Sequence, residues 1–407
     1  MRTYPKFYIT KKAERTVRPG HPWVYGEEVT KVEGTYENGD LVDVVNQKGK
    51  YLGTGFVNDH SKIRVRILSN NTNDKFDAAF WERRFQYAFA YRRTVMPGKD
   101  FRCCRLVFGE ADQFPGLTVD RYNDILVTQT LSLGIEVRKD VLFPLMVKVL
   151  RDMGETVSGI YERNDVKIRA LEGLEQGKGW YPLAGEPVPA SCITTIDENG
   201  ILYDVDVENG QKTGFFLDQK YNRQSVARIA KGKHVLDCFT HTGSFALNAA
   251  KGGAAHVTAV DVSAEACKMA RINAEKNGVA DVMDVRQADV FALLDELEAA
   301  HCKDYDFIIL DPPAFTKSRK TVRNATGGYK DINKKAMKLL PRGGYLATCS
   351  CSHFMTEELF IEMLHDAAQE AGVSLRQVEV RQQAPDHPVL WNVPETFYLK
   401  FFIFQVV

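Results

Sequence analysis

Five short apolar runs recur from residue 233 onward: Val235-Leu-Asp-Cys238, Val257-Thr-Ala-Val-Asp261, Val282-Met-Asp-Val285, Phe307-Ile-Ile-Leu310 and Tyr345-Leu-Ala-Thr-Cys349. Each pair is separated by a stretch long enough for a helix. This alternation constrains the fold more than any other feature, because parallel strands need a crossover that returns the chain to its starting edge. It predicts an α/β domain with a doubly wound, largely parallel sheet. The tail Thr396-Phe-Tyr-Leu-Lys-Phe-Phe-Ile-Phe-Gln405 is too aromatic for another crossover helix, so it is expected to close the sheet as an antiparallel strand.

In such a sheet ligands bind beyond the carboxyl ends of the strands. The first strand runs into Asp237-Cys-Phe-Thr-His-Thr-Gly-Ser244, where only Gly243 offers bare backbone. Phe239 and His241 stand where a dinucleotide's pyrophosphate needs glycine, which disfavours hydride transfer. Asp261, ending the second strand, is placed to accept hydrogen bonds from two ribose hydroxyls. Asp289, after the third, can reach an adenine amino group. One adenosine without phosphate suits S-adenosylmethionine. Any one of these acids serves equally as a helix N-cap; several at successive strand ends point to a ligand.

The fourth strand ends in Asp311-Pro-Pro-Ala-Phe315. Pro312 and Pro313 fix the loop and lack N–H donors, leaving Asp311 to address a planar base while Phe315 is available to stack. The fifth strand ends in Thr348-Cys-Ser-Cys-Ser-His353, which puts two thiols beside the same cleft. Cys349 is expected to lie deeper and Cys351 nearer the open end; a rim thiol ionises more readily, which favours Cys351 as nucleophile. His353 is a possible base, although a structural role fits it better.

The 407 residues exceed one ordinary core, so two or three domains are expected. The 53 basic and 53 acidic residues cancel, and any affinity for a polyanion must come from local clusters. One such cluster is Lys317, Arg319, Lys320, Arg323, Lys330, Lys334, Lys335, Lys338 and Arg342, against Asp331 alone. Its first four members follow the Asp-Pro-Pro loop and are the expected RNA contacts, while Lys334, Lys335 and Lys338 read better as a solvated helix face. A second is the β-rich opening, where Arg18, Lys62, Arg64 and Arg66 stand near Trp23, Tyr25 and Tyr51. The eight cysteines follow no disulfide or zinc-site spacing, and Cys103-Cys104 reads as packing. No apolar run reaches membrane-spanning length, and the opening residues lead into no signal sequence. A cytoplasmic protein with reduced thiols and no metal is expected.

These residues, together with Gly20-His-Pro-Trp-Val24, Gly39-Asp40, Gly53-Thr-Gly-Phe56, Thr213-Gly-Phe-Phe-Leu-Asp-Gln219, Phe239-Thr-His-Thr-Gly243, Ser350-Cys-Ser352 and Asp386-His-Pro388, carry a resemblance over essentially the whole chain. The chain resembles the bacterial ribosomal RNA large-subunit methyltransferase I family, which methylates a cytosine of 23S ribosomal RNA at carbon 5. The resemblance implies a PUA-like RNA-binding domain over 1–70, a middle α/β domain over 71–187 and a Rossmann-like methyltransferase domain over 188–407. It implies that Asp218, Phe239, Gly243, Asp261 and Asp289 line the cofactor pocket, that Asp311 holds the base, and that Cys351 attacks. The partner it implies is RNA; a homodimer is a further possibility. Two other readings compete: methylation of an exocyclic base amine, which needs no thiol, and a non-catalytic RNA-binding or ribosome-assembly factor.

Overall fold

The computed structural model describes residues 3–316 and 321–407. The chain folds as two compact units: Met1–Ile196 with Asp204–Leu217 and Pro385–Thr396, and Asp197–Tyr203 with Asp218–Ala384 and Phe397–Val407.

The first unit opens with six strands, β1 (Lys6–Ile9), β2 (Trp23–Tyr25), β3 (Val29–Glu33), β4 (Leu41–Asn46), β5 (Tyr51–Val57) and β6 (Ile63–Ser69), in the order β2-β6-β5-β4-β1-β3. Phe7, Ile9, Val24, Val42, Val44, Val57 and Val65 point into one core, joined by Ala13 and Val17 of helix α1 (Lys11–Val17). The module is β-rich as its period-two alternation predicts. Helix α2 (Ala78–Val95) is capped by Asp77, whose carboxylate accepts from the Phe80 N–H. Asp74, the other acid in the linker before it, accepts from the Ser69 hydroxyl.

A five-stranded sheet follows, in the order β11-β10-β9-β8-β7, from β7 (Cys103–Phe108), β8 (Leu117–Tyr122), β9 (Ile125–Thr130), β10 (Gly159–Arg163) and β11 (Lys178–Tyr181). Asn123 takes a left-handed conformation at the β8–β9 turn, as the Asn-Asp pair predicts. Cys103 and Cys104 are buried packing residues. Residues 135–153 read as one helix from about Ile135 to Met153, but they form two pieces, α3 (Leu133–Glu136) and α4 (Lys139–Asp152). Arg138 leaves helical geometry there, and its guanidinium donates to the Gly134 carbonyl, in place of a helical N–H, and to the distant Gly39 carbonyl. Gly134 allows the turn to lie on Phe56, since a Cβ there would fall 2.1 Å from that ring.

After a hairpin of β12 (Ile193–Glu198) and β13 (Ile201–Asp206), helix α5 (Lys220–Ile229) leads into the second unit's sheet. Its strands are β14 (His234–Cys238), β15 (His256–Asp261), β16 (Met283–Gln287), β17 (Phe307–Leu310), β18 (Tyr345–Ser350), β19 (Leu375–Arg381) and β20 (Lys400–Val406). They are ordered β16-β15-β14-β17-β18-β20-β19. The first five are parallel, and β20 runs antiparallel between β18 and β19. The crossovers are α6 (Ser244–Lys251), α7 (Ala264–Lys276), α8 (Val290–Ala299), α9 (Val322–Leu339) and α10 (Glu357–Ala371). β17 is buried along its whole length, which is why it reads as a continuous apolar run rather than an alternating one. The strand order reverses between β14 and β17, and the loops after these two strands open at that switch point. Among the described residues, no helix is long and apolar enough to cross a membrane.

Candidate active site

The loop after β14 is built from three left-handed residues, Phe239, His241 and Gly243, at φ 64°, 53° and 86°. For the two with side chains this costs about 1 kcal/mol or more each, and such strain persists only where surrounding bonds enforce it. The enforcing bonds are explicit. Thr240 N–H donates to Val260 O at 2.9 Å, His241 N–H to Asp261 Oδ2 at 2.9 Å, and the Thr240 hydroxyl to Asp237 Oδ2 at 2.6 Å. At Gly243 a Cβ would lie 3.2 Å from both Ala270 Cβ and Met283 Cε, so the helix start can pack this closely only with glycine.

Asp261 ends β15 half-exposed, and its other oxygen accepts from the Ser263 N–H at 2.9 Å. Each oxygen retains a lone pair. Asp289 is exposed and caps α8 through the Ala292 N–H, so in this structure it performs the helix-capping job. Asp218 is buried and accepts from the Tyr398 hydroxyl at 2.7 Å. Asp237, not singled out by sequence reasoning although it opens the quoted loop, is fully buried. Burial, with the charges of Asp311 and Asp261, pushes its pKa up to about 7, against the opposing Thr240 and Ala246 hydrogen bonds. Its Oδ1 and the Thr242 hydroxyl are buried with no hydrogen-bond partner among the described residues. A carboxylate oxygen and a hydroxyl left over beside a strained loop fit a ligand carrying an ammonium and hydroxyl groups, as S-adenosylmethionine does.

Across the switch point, Asp311 follows β17 half-buried. Its Oδ1 accepts from Gln219 Nε2 at 3.1 Å and from the Cys349 thiol at 3.0 Å. Gln219 is itself held by Asn222, whose amide donates to its Oε1 at 2.6 Å. Helix α5, which carries Asn222, is fixed by the buried Arg223–Glu198 ion pair at 2.6 Å. Gln219 ends a motif quoted from the sequence, but nothing in its spacing marks it as the partner of Asp311. Pro312 is buried and Pro313 exposed. Phe315 is half-buried, its ring 4.6 Å from Tyr329 and 5.9 Å from Phe291, which in turn meets Phe239 at 6.4 Å. This aromatic row joins the two loops.

The two thiols differ sharply. Cys349 is 1% exposed, and burial, reinforced by the Asp311 charge, pushes its pKa well above the usual thiol value. Cys351 is half-exposed, one residue past the end of β18. The serines on either side of it are pinned, Ser350 by donation to the Tyr329 hydroxyl at 3.0 Å and Ser352 by donation to Thr316 O at 2.9 Å. His353 is exposed, with Nδ1 3.4 Å from Phe397 O. The structure thus brings Asp311, Cys349, Gln219 and Cys351 to adjacent strand ends, with Asp237 and Asp261 on the neighbouring ones.

The charge clusters come out differently from their sequence appearance. Lys317, Arg319 and Lys320 lie outside the described residues. Arg323 is exposed on the first turn of α9. Lys330 and Lys334 pair with Glu370, Lys335 with Asp295 and Asp331, and Lys338 with Glu298, so acids from α8 and α10 compensate most of the helix. In the first unit Arg18 pairs with Glu14 and Arg64 with Asp59, while Arg66 is half-buried between Glu172 and Glu110, at 2.7 and 3.3 Å. The Trp23 indole N–H also donates to Glu110. The expected open basic surface is therefore largely neutralised; Lys62 remains exposed. Asp386 and Thr213 serve the packing of the first unit, Asp386 accepting from the Arg105 N–H and Thr213 donating to Asp120. Among the described residues no cluster could hold a metal ion.

Comparison with known proteins agrees with this geometry. A family described as a PUA-like domain matches residues 7–70, and one described as an S-adenosylmethionine-dependent methyltransferase matches residues 177–404. Ribosomal RNA large subunit methyltransferase I of Klebsiella pneumoniae strain 342 is 38% identical over 409 residues, covering 99% of each chain. That of Aliivibrio fischeri strain MJ11 is 40% identical, covering 98% of this chain and 99% of its own. Among solved structures, a Streptococcus mutans protein described as a SAM-dependent methyltransferase superposes with a TM-score of 0.81 at 23% identity, over 98% of this chain and 100% of that one. A methyltransferase complexed with SAH does so with the same TM-score at 22% identity, over the same shares of the two chains. With near-complete coverage by such relatives, the chain belongs to the ribosomal RNA large subunit methyltransferase I family and joins a PUA-like domain to an S-adenosylmethionine-dependent methyltransferase domain.

Proposed function

We propose that this chain methylates carbon 5 of a cytosine in 23S ribosomal RNA through a covalent bond from Cys351 to carbon 6 of the base. The substrate class follows the name its relatives carry. The observation that carries the chemistry is the pairing of β17 with β18, in which Leu310 lies opposite Thr348. That register puts the Asp311 carboxylate and the half-exposed Cys351 at the same end of two adjacent strands.

Carbon 5 of cytosine is a weak nucleophile. Addition of the Cys351 thiolate to carbon 6 moves the ring's 5,6 electron pair onto carbon 5, while Asp311 hydrogen-bonds or protonates N3 to hold the displaced charge. S-adenosylmethionine supplies a methyl group on a sulfonium, whose sulfur leaves as a neutral thioether. The carbon 5 pair forms the new carbon–carbon bond. A base then takes the carbon 5 proton, the C–H electrons restore the 5,6 double bond, the carbon–sulfur bond breaks to return the thiolate, and N3 gives back to Asp311 any proton it had taken. Because chemistry on a base requires it to leave its stack, the cytosine enters unpaired or flipped.

The test is the product. RNA incubated with the protein and labelled methyl donor should yield 5-methylcytidine on nucleoside mass spectrometry. N4-methylcytidine would favour the exocyclic amine instead, and no transfer at all would favour a binding factor. In the cofactor pocket, Asp261→Ala should weaken S-adenosylmethionine binding by about 1–3 kcal/mol, roughly 5- to 150-fold, through lost charge-assisted hydrogen bonds. An unchanged dissociation constant by calorimetry would remove Asp261 from the pocket.

A further inference from the structure

Lys400 is a lysine where the fold should tolerate none. It sits on β20 within Leu399-Lys-Phe-Phe-Ile-Phe404, directly across from Ser350 in the antiparallel pairing with β18, and is 3% exposed. Its Nζ donates to the carbonyls of Ser352 at 2.6 Å and Tyr398 at 2.9 Å. No carboxylate lies within ion-pair distance of it among the described residues. A buried ammonium whose hydrogen bonds go only to carbonyls is costly to keep charged. What it touches is the backbone immediately after Cys351.

We propose that Lys400 is a positioning residue for the thiol of Cys351: it clamps the turn that carries the thiol and supplies the fixed positive charge that draws it into the thiolate form. The proposal rests on the reading of Cys351 as the nucleophile. A buried cation near a thiol stabilises the charged form, the usual route by which proteins activate cysteine. The surrounding groups set the sign. Facing Lys400 are Cys351 and Cys349 from the end of β18 and Glu357 from α10; Tyr329 from α9 faces both thiols, and Asp311 faces Cys349. All of these are neutral or negative, so Lys400 is the cation among them. Burial pushes its own pKa down to about 8, and the charges of Cys351, Glu357 and Cys349 pull it back up. The ammonium is therefore present at neutral pH, as a charge able to stabilise a thiolate on the neighbouring turn.

The experiment is the pH dependence of Cys351 alkylation by iodoacetamide in the full chain, with the label placed on Cys351 rather than Cys349 by tandem mass spectrometry. The wild-type midpoint should lie below the ordinary thiol value of about 8.5. In Lys400→Met it should rise by about one pH unit or more, making alkylation at pH 7 about tenfold slower, with the kcat for methyl transfer falling in step. Lys400→Arg, which keeps the charge, should restore both to within about threefold. The KM for RNA and the S-adenosylmethionine dissociation constant should not move. A wild-type midpoint at or above 8.5 overturns the proposal even if Lys400→Met fails to fold. So does an unshifted midpoint in a folded Lys400→Met protein, whatever happens to kcat. Cys351→Ala run in parallel separates the two claims: if it still transfers methyl groups, the nucleophile reading fails while the alkylation midpoints continue to report on Lys400.

Discussion

Cys351→Ala is expected to abolish methyl transfer, by a factor on the order of 10⁴ or more, while S-adenosylmethionine still binds. Cys349→Ala is expected to keep substantial activity. The contrast follows from placement. The Cys349 thiol is buried, held protonated, and spent on a hydrogen bond to Asp311. Its removal leaves Asp311 with the Gln219 donor and costs only weak sulfur bonds, to Asp311, the Leu310 carbonyl and Gln219. Cys351 stands half-exposed between two pinned serines. RNA carrying 5-fluorocytosine makes the distinction covalent, since fluorine cannot leave carbon 5 as a proton does. Wild type and Cys349→Ala should form an adduct stable to denaturing gel electrophoresis, and Cys351→Ala should not. An adduct that survives in Cys351→Ala and vanishes in Cys349→Ala would exchange the two roles.

The second large effect is expected at Asp311. Asn is isosteric, and its side-chain oxygen can accept the same bonds from Gln219 and Cys349, so the loop should keep its shape. What Asn cannot do is carry a negative charge or hand a proton to N3. Asp311→Asn should therefore lower kcat by roughly 10²–10⁴, the range for losing a positioned acid, and leave cofactor affinity unchanged. Single-turnover rates with saturating RNA would measure it. A variant within tenfold of wild type would mean that the base is held by other groups and that Asp311 is structural.

The second unit was legible in the sequence because burial on both faces turns parallel strands into uninterrupted apolar runs, and Phe307–Leu310 is buried throughout. The antiparallel last strand was legible from its aromatics. Edge strand β19 was not: Leu375–Arg381 has no fully buried position and carries charges, so it has no apolar signature. The helix break at Arg138 was hidden for a different reason, since the periodicity on both sides is helical and the interruption comes from distant Gly39 and Phe56. Within the site, the strand-end acids and thiols could be read because the topology forces strand ends together. Gln219 could not, since its value lies in a contact 92 residues away. Lys400 carried a readable signal, a lone cation in an apolar strand. The ion pairs that neutralise α9 were not legible, because composition counts charges along the chain, whereas Glu370, Asp295 and Glu298 reach it across space.

Asp386 gives the chain a timetable. The Arg105 N–H and the Arg92 guanidinium, both early in synthesis, find their acceptors on a residue 281 and 294 positions later. Asn392 reaches back further still, to the carbonyl of Gly20, 372 positions away. During translation the opening unit therefore emerges with a buried arginine missing one of its acceptors, and it waits for nearly the entire methyltransferase sequence to be made before its last pieces arrive. Completion of the first unit and of the methyltransferase sheet, whose last strand is β20, are thereby tied to the same late stretch of synthesis.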